Sequence, residues 1–187
     1  MAVLIAACLM AALLPAGNAL SCQTCQNRTG LLCKGTVTVC ASVFDTCTGV
    51  YAETTEGGKF IAGNYQIRCG ESKSCNSMYS VTTGSLSIKS GTSCCKQDGC
   101  TPQIPSGATQ NGLECPACVG ASPDSCDSGM NTMKCTGLEN QCVRYTLSSS
   151  ASTMTILRGC STEAFCAYGN FSSSMADVTT VCTNGAT

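Results

Sequence analysis

Short runs that alternate polar and apolar residues recur along this chain. Thr36-Val37-Thr38-Val39, Tyr65-Gln66-Ile67-Arg68 and Leu86-Ser87-Ile88-Lys89 share a period of two, and Val143-Arg144-Tyr145-Thr146-Leu147 repeats it in the second half. That period turns one set of side chains toward a buried face and the other toward water, so each run predicts a strand. Turn signals separate the runs. Glu56-Gly57-Gly58-Lys59 divides Val50-Tyr51-Ala52 from Phe60-Ile61, and Thr83-Gly84-Ser85 divides Met78-Tyr79-Ser80-Val81 from Leu86. In the second half Ser148-Ser149-Ser150-Ala151-Ser152 divides Val143–Leu147 from Met154-Thr155-Ile156-Leu157. These pairs read as hairpins. Beyond the first residues no stretch carries a helical stripe with caps, so an all-β chain is expected.

The first residues are different. The chain is apolar from Met1 to Pro15, and Gly17-Asn18-Ala19 then places small residues where a signal peptidase needs them. Residues 1–19 are read as a secretory signal peptide cut after Ala19. The apolar run is shorter than the ~20 residues of a spanning helix. After Cys182 only Thr183-Asn184-Gly185-Ala186-Thr187 follows, without the hydrophobic tail of a glycolipid anchor. A secreted, soluble product with no membrane anchor is expected. In such a product Asn27-Arg28-Thr29 and Asn170-Phe171-Ser172 are glycosylation sequons, at Asn27 and Asn170.

Cysteine changes the picture most. The chain has 19, and loss of Cys8 with the leader leaves an even number. They form two series of similar spacing. The first holds Cys22, Cys25, Cys33, Cys40, Cys47, Cys69, Cys75, Cys94, Cys95 and Cys100; the second holds Cys115, Cys118, Cys126, Cys135, Cys142, Cys160, Cys166 and Cys182. Even counts in an exported chain imply disulfides. Between the series, Thr101 to Gly112 is rich in Pro, Gly and small polar residues and reads as a linker. The expected units are therefore residues 20–100, a linker over 101–112, and residues 113–187. With no tryptophan and few aromatics, a core that small rarely supplies more than ~3–5 kcal/mol, and crosslinks are the expected supplement.

The first series resembles the ten-cysteine three-finger domain of the lymphocyte-antigen-6/urokinase-receptor superfamily. The residues that carry the resemblance are Cys22-x-x-Cys25 and the ending Cys94-Cys95-Lys96-Gln97-Asp98-Gly99-Cys100. It implies two tandem disulfide-rich three-finger (snake-toxin-like) domains. It also implies the pairs Cys22–Cys47, Cys25–Cys33, Cys40–Cys69, Cys75–Cys94 and Cys95–Cys100, and by analogy Cys115–Cys142, Cys118–Cys126, Cys135–Cys160 and Cys166–Cys182. Spacing alone does not choose among the possible pairings. Two departures stand out: Thr101 replaces the family's asparagine after the last cysteine, and the second series lacks the terminal cysteine pair. Leu20-Ser21-Cys22-Gln23-Thr24-Cys25, Asn111-Gly112-Leu113-Glu114-Cys115-Pro116-Ala117-Cys118 and Lys134-Cys135-Thr136-Gly137-Leu138-Glu139-Asn140-Gln141-Cys142 are similar to secreted gamma-type phospholipase A2 inhibitors and equally to sodefrin-precursor-like proteins.

Charge and chemistry narrow the function. The net charge is −1 and no run of Lys or Arg exists, so nucleic acid is not an expected partner. The same absence argues against an electrostatic membrane patch. The chain has no histidine, which removes Ser-His and Cys-His catalysis and histidine metal sites. Asp124 and Asp127, flanking Ser125-Cys126, read as a solvated pair rather than an acid/base pair. Both C-x-x-C motifs read as structural bridges, since no helix start is expected there to activate a thiolate. No enzyme, cofactor or metal is expected. The candidate protein-binding residues are Tyr51, Phe60 and Tyr65, around the central finger of the first unit, and Tyr145 in the second, because aromatics dominate interfaces energetically. The resemblance implies a non-catalytic binder of an extracellular protein, first a secreted phospholipase A2. The competing expectation is a pheromone-like ligand of a cell-surface receptor; a toxin-like channel ligand is a third, and the uncharged Ser148–Ser152 tip speaks against it.

Overall fold

The computed structural model describes residues 19–105, 109–127, 131–149, 154–167, 169–173 and 176–184. Apart from Ala19, the expected signal peptide lies outside them, as does Ser150-Ala151-Ser152 of the serine-rich turn. The fold is nearly all β. The first domain holds β1 (Ser21–Asn27), β2 (Thr36–Val39), β3 (Thr46–Glu56), β4 (Lys59–Gly70), β5 (Met78–Thr82) and β6 (Leu86–Cys95). The second holds β7 (Gln110–Gly120), β8 (Asn131–Thr136), β9 (Gln141–Ser149), β10 (Met154–Ser161), β11 (Phe171–Ser172) and β12 (Ala176–Thr183). Two five-residue helices, α1 (Pro123–Asp127) and α2 (Glu163–Ala167), fill connections in the second domain.

Each domain is three antiparallel hairpins, joined in the same way. In the first, β3 lies between β4 and β6, and β4 takes β1 on its other side through Cys25↔Ile67 and Asn27↔Tyr65. In the second, β9 lies between β10 and β12, and β10 takes β7. The repeat seen in the cysteines is thus a repeat of strand topology. β7 starts at Gln110, inside the segment expected as linker.

The alternating runs do not all bury a face. In β4, Tyr65 and Ile67 are buried while Arg68 is exposed, as period two requires. In β2 all four residues are exposed. In β6, Ile88 is exposed. β2 is the terminal strand of the sheet and Ile88 stands near the finger end, so neither has a second layer to pack against. Alternation reports strand geometry; burial also needs a neighbour above the face.

The base of each domain is sulfur. The structure pairs Cys22–Cys47, Cys25–Cys33, Cys40–Cys69, Cys75–Cys94 and Cys95–Cys100 in the first domain. It pairs Cys115–Cys142, Cys118–Cys126, Cys135–Cys160 and Cys166–Cys182 in the second. Cys22, Cys40 and Cys47 form one buried cluster with Leu20 and Phe44 against it. Cys115, Cys135, Cys142 and Cys160 form its counterpart, flanked by Leu113 and Met133. A third cluster, Tyr51, Tyr65 and Ile67 with Ile104, covers the middle of the first domain's central finger. A bridge typically contributes ~2–4 kcal/mol by restricting the unfolded chain, comparable to what so small a core supplies.

The two domains share a seam. β5 pairs with the end of β10 through Thr82↔Cys160 and Val81↔Ser161. Thr162 extends the contact: its N–H donates to the Ser80 carbonyl at 3.0 Å, and the Ser80 N–H donates to Thr162 Oγ1 at 3.1 Å. Beside it Glu139, 1% exposed, accepts from Ser80 Oγ at 2.5 Å and Thr82 Oγ1 at 2.6 Å through Oε1. Asn111 Nδ2 fixes the turn that carries it, donating to the Glu139 carbonyl at 3.0 Å.

Candidate protein-binding surface

The central finger of the first domain is the longest hairpin, β3 with β4. Its turn, Glu56-Gly57-Gly58-Lys59, has Gly57 at φ 56° and Gly58 at φ 76°. Two consecutive positive φ values match the strand twist of a tight hairpin and suit glycine. Just past the turn the register slips: Thr54 faces Ala62 but Thr55 faces Phe60, so Ile61 is the extra residue of a bulge. The bulge takes Ile61 out of the alternation and leaves it 57% exposed, beside Phe60 at 45%.

Finger one reaches the same place. A Cβ added to Gly63 would stand 2.9 Å from Phe60 Cε2 and 3.2 Å from Leu31 Cδ2. Leu31 and Phe60 therefore lie over the same glycine. Leu32, next along the loop, is 86% exposed. Ile88 of finger three is 41% exposed but pairs with Thr54, one residue on from the Glu53 that faces Gly63, and so lies on the other face of the sheet. Gly57 N–H donates to the Ser85 carbonyl at 2.8 Å, which holds the second and third finger tips together. The first domain thus ends in an apolar cluster from two separate segments, Leu31 and Leu32 of finger one and Phe60 and Ile61 of finger two.

Of the four aromatic candidates only Phe60 belongs to that cluster. Tyr51 and Tyr65 are 2% and 3% exposed, which corrects the expectation that they face a partner. They oppose each other across β3 and β4 and pack with Ile67 and Ile104. The Tyr65 hydroxyl donates to the Pro102 carbonyl at 2.5 Å, whereas the Tyr51 hydroxyl has no partner among the described residues. Gly49 permits this packing, since a Cβ there would lie 2.7 Å from the Tyr65 hydroxyl. Burial pushes both phenols above the ordinary value of 10.0, and Glu53 adds to the effect at Tyr51. Tyr145 is half-buried and packs against Phe165 of α2, ring centroids 5.9 Å apart. The apolar residues of the cluster that sequence reasoning misses are Leu31, Leu32 and Ile61; a Leu-Leu pair inside a short crosslinked loop is the available signal for the first two.

The other candidates sit elsewhere. Asp124 is exposed on α1, and the side chain of Asp127 is outside the described residues. Asn27 Nδ2 donates to the Leu32 carbonyl at 2.8 Å, and its Oδ1 accepts from the Thr29 N–H at 2.9 Å. Asn170 is exposed, with Oδ1 accepting from the Thr180 N–H at 2.8 Å. Sulfur triplets such as Cys22, Cys40 and Cys69 come within 4.8 Å of one another. Every sulfur in them is tied up in a disulfide, so none offers a thiolate to a metal.

The profile of the u-PAR/Ly-6 domain matches residues 18–103 and again 111–187. A phospholipase A2 inhibitor gamma chain of Gloydius brevicaudus siniticus is 28% identical over 169 residues, covering 85% of this chain and 82% of that protein. Phospholipase A2 inhibitor NAI of Notechis ater is 29% identical over 168 residues, with 85% and 82% covered. A phospholipase A2 inhibitor gamma chain of Laticauda semifasciata is 30% identical over 159 residues, with 79% and 84% covered. The crystal structure of mouse TEX101 is similar at 16% identity with a TM-score of 0.33, covering 86% of this chain and 94% of that one.

Proposed function

The chain belongs to the u-PAR/Ly-6 domain family, in two copies, and we propose that it is a secreted, non-catalytic inhibitor that binds a secreted phospholipase A2. The observation that carries the reading is the match to proteins named phospholipase A2 inhibitor along most of both chains. Two features of the molecule support a binding role. Its bridges fix the finger bases before any partner arrives, so association loses little chain entropy. Its chemistry is that of a surface: with no histidine in the chain, the familiar nucleophile–base pairs are absent.

Inhibition on this reading is steric. A finger end lies over the enzyme's substrate entrance or its lipid-contacting face and excludes substrate. An extracellular site of action fits the density of disulfides, which persist in oxidising compartments. The test is purified chain against a panel of secreted phospholipases A2, with binding by calorimetry and turnover on phospholipid. Saturable binding and slowed hydrolysis at micromolar or lower concentration are expected. Neither effect on any member of the panel would remove the reading, and receptor activation in its place would favour the signalling ligand.

A further inference from the structure

We propose that the finger end of the first domain docks on an anionic phospholipid surface, with Leu31, Leu32, Phe60 and Ile61 entering the interface and Arg28, Lys34 and Lys59 resting on the headgroups. The sequence contains no basic run and predicts no basic patch. The fold assembles one. Arg28 and Lys34 flank the loop of finger one, Lys59 closes the turn of finger two, and Lys89 lies opposite Glu53 in finger three. Glu53 and Glu56 are the acidic groups on the same fingers. Four cations against two carboxylates leave this end positive. At the disulfide base the charges cancel, with Asp45, Glu71 and Asp98 against Arg68, Lys73 and Lys96.

Two of the three base cations are paired: Lys73 and Lys96 lie 2.6 and 4.0 Å from Glu71 and Asp45, while Arg68 is in no ion pair among the described residues. Among the described residues, Arg28, Lys34, Lys59 and Lys89 have no carboxylate within ion-pair distance. The apolar residues stand on protruding loops and one bulge rather than in a groove, a shape suited to insertion a few ångströms below headgroups. Basic residues beside them suit the negative potential of an anionic leaflet. An apolar protein face alone would use the leucines and phenylalanine and leave the cations idle. The inference does not require the inhibitor reading; it would place such an inhibitor on the surface where a lipolytic enzyme works.

The experiment is sedimentation of the full secreted chain with vesicles, enzyme absent. One vesicle is phosphatidylcholine alone, the other an equimolar mixture with phosphatidylglycerol. Binding to the mixture at low ionic strength, lost at high salt and on phosphatidylcholine alone, is the expected result. Lys59→Gln should weaken it about fivefold, the value of one cation near an anionic surface. Leu32→Ser, and Phe60→Ser with Ile61→Ser, should weaken it about tenfold or more by removing inserted apolar area. Val119→Ser, which removes an exposed valine of the second domain, should leave it unchanged. Intact-mass counting of disulfides and a melting curve show that each variant is folded. No preference for the anionic vesicle overturns the proposal, and so does equal sensitivity to Val119→Ser. So, too, does a lipid-free phospholipase A2 contact that depends on Phe60 and Ile61 while vesicles go unbound; that outcome would assign the cluster to a protein.

Discussion

Two tyrosines that face each other across one hairpin carry opposite expectations. The Tyr65 hydroxyl satisfies the Pro102 carbonyl, while the Tyr51 hydroxyl is buried without a partner among the described residues. Tyr65→Phe should therefore destabilise the fold by about 1–3 kcal/mol, because it orphans a buried carbonyl. Tyr51→Phe removes an unsatisfied group and should be neutral or stabilising. Chemical denaturation with the disulfides intact measures both. The phenols also set an alkaline limit. Their folded pKa values lie above 10.0 because burial disfavours the phenolate. Stability from this source is full below the ordinary value and is lost as pH climbs through the raised one. A tyrosinate titration should show two late-titrating groups in the native chain, and one fewer in Tyr65→Phe. Sequence can place these tyrosines on strands but not decide which way they look. Their cover is the segment around Pro102, 37 residues beyond Tyr65, and no local pattern announces it.

The fingers themselves are the most legible elements. Gly57-Gly58 between two alternating runs is a local signal with a local cause, and the hairpin is there. The bulge at Ile61 is not legible, because register is a property of two strands and the run Lys59–Ile61 says nothing of its partner. The exposed valines of β2 escape a sequence reading for a related reason: edge position is decided by topology. Third fingers differ between the domains. β6 ends in Cys94 and Cys95, each bridged, whereas β12 is tied through Cys182 alone. Amide hydrogen exchange should run faster in β12 than in β6. Replacing Cys166 and Cys182 with serine should melt β11 and β12 while leaving β3, β4 and β6 protected. A uniform loss of protection in both domains would show instead that the bridges act as one cooperative unit.

Across the whole molecule, two repeats in the cysteines become two domains of like topology, but the pairing of the bridges comes from the family resemblance, not from spacing. What sequence does not show is the seam. Glu139 sits in a polar turn and looks like a solvated residue, yet the fold buries it against Ser80 and Thr82 of the other domain. Its Oε2 has no partner among the described residues, so truncation relieves one buried orphan and creates another, leaving the buried Ser80 hydroxyl without its acceptor. Glu139→Ala should change the melting temperature little and loosen the seam, seen as faster exchange at Thr82 and Thr162 and a larger radius of gyration in solution scattering. A variant as compact and as protected as the parent would show that strand pairing alone holds the halves. The seam also bears on how the protein is made. Synthesis proceeds from the N-terminus, so β5 emerges well before β10, about 80 residues later and, at roughly 5–20 residues per second, several seconds behind. For that interval the newborn first domain displays a raw strand edge to every other nascent chain in its surroundings, and its own second half must arrive in time to close it.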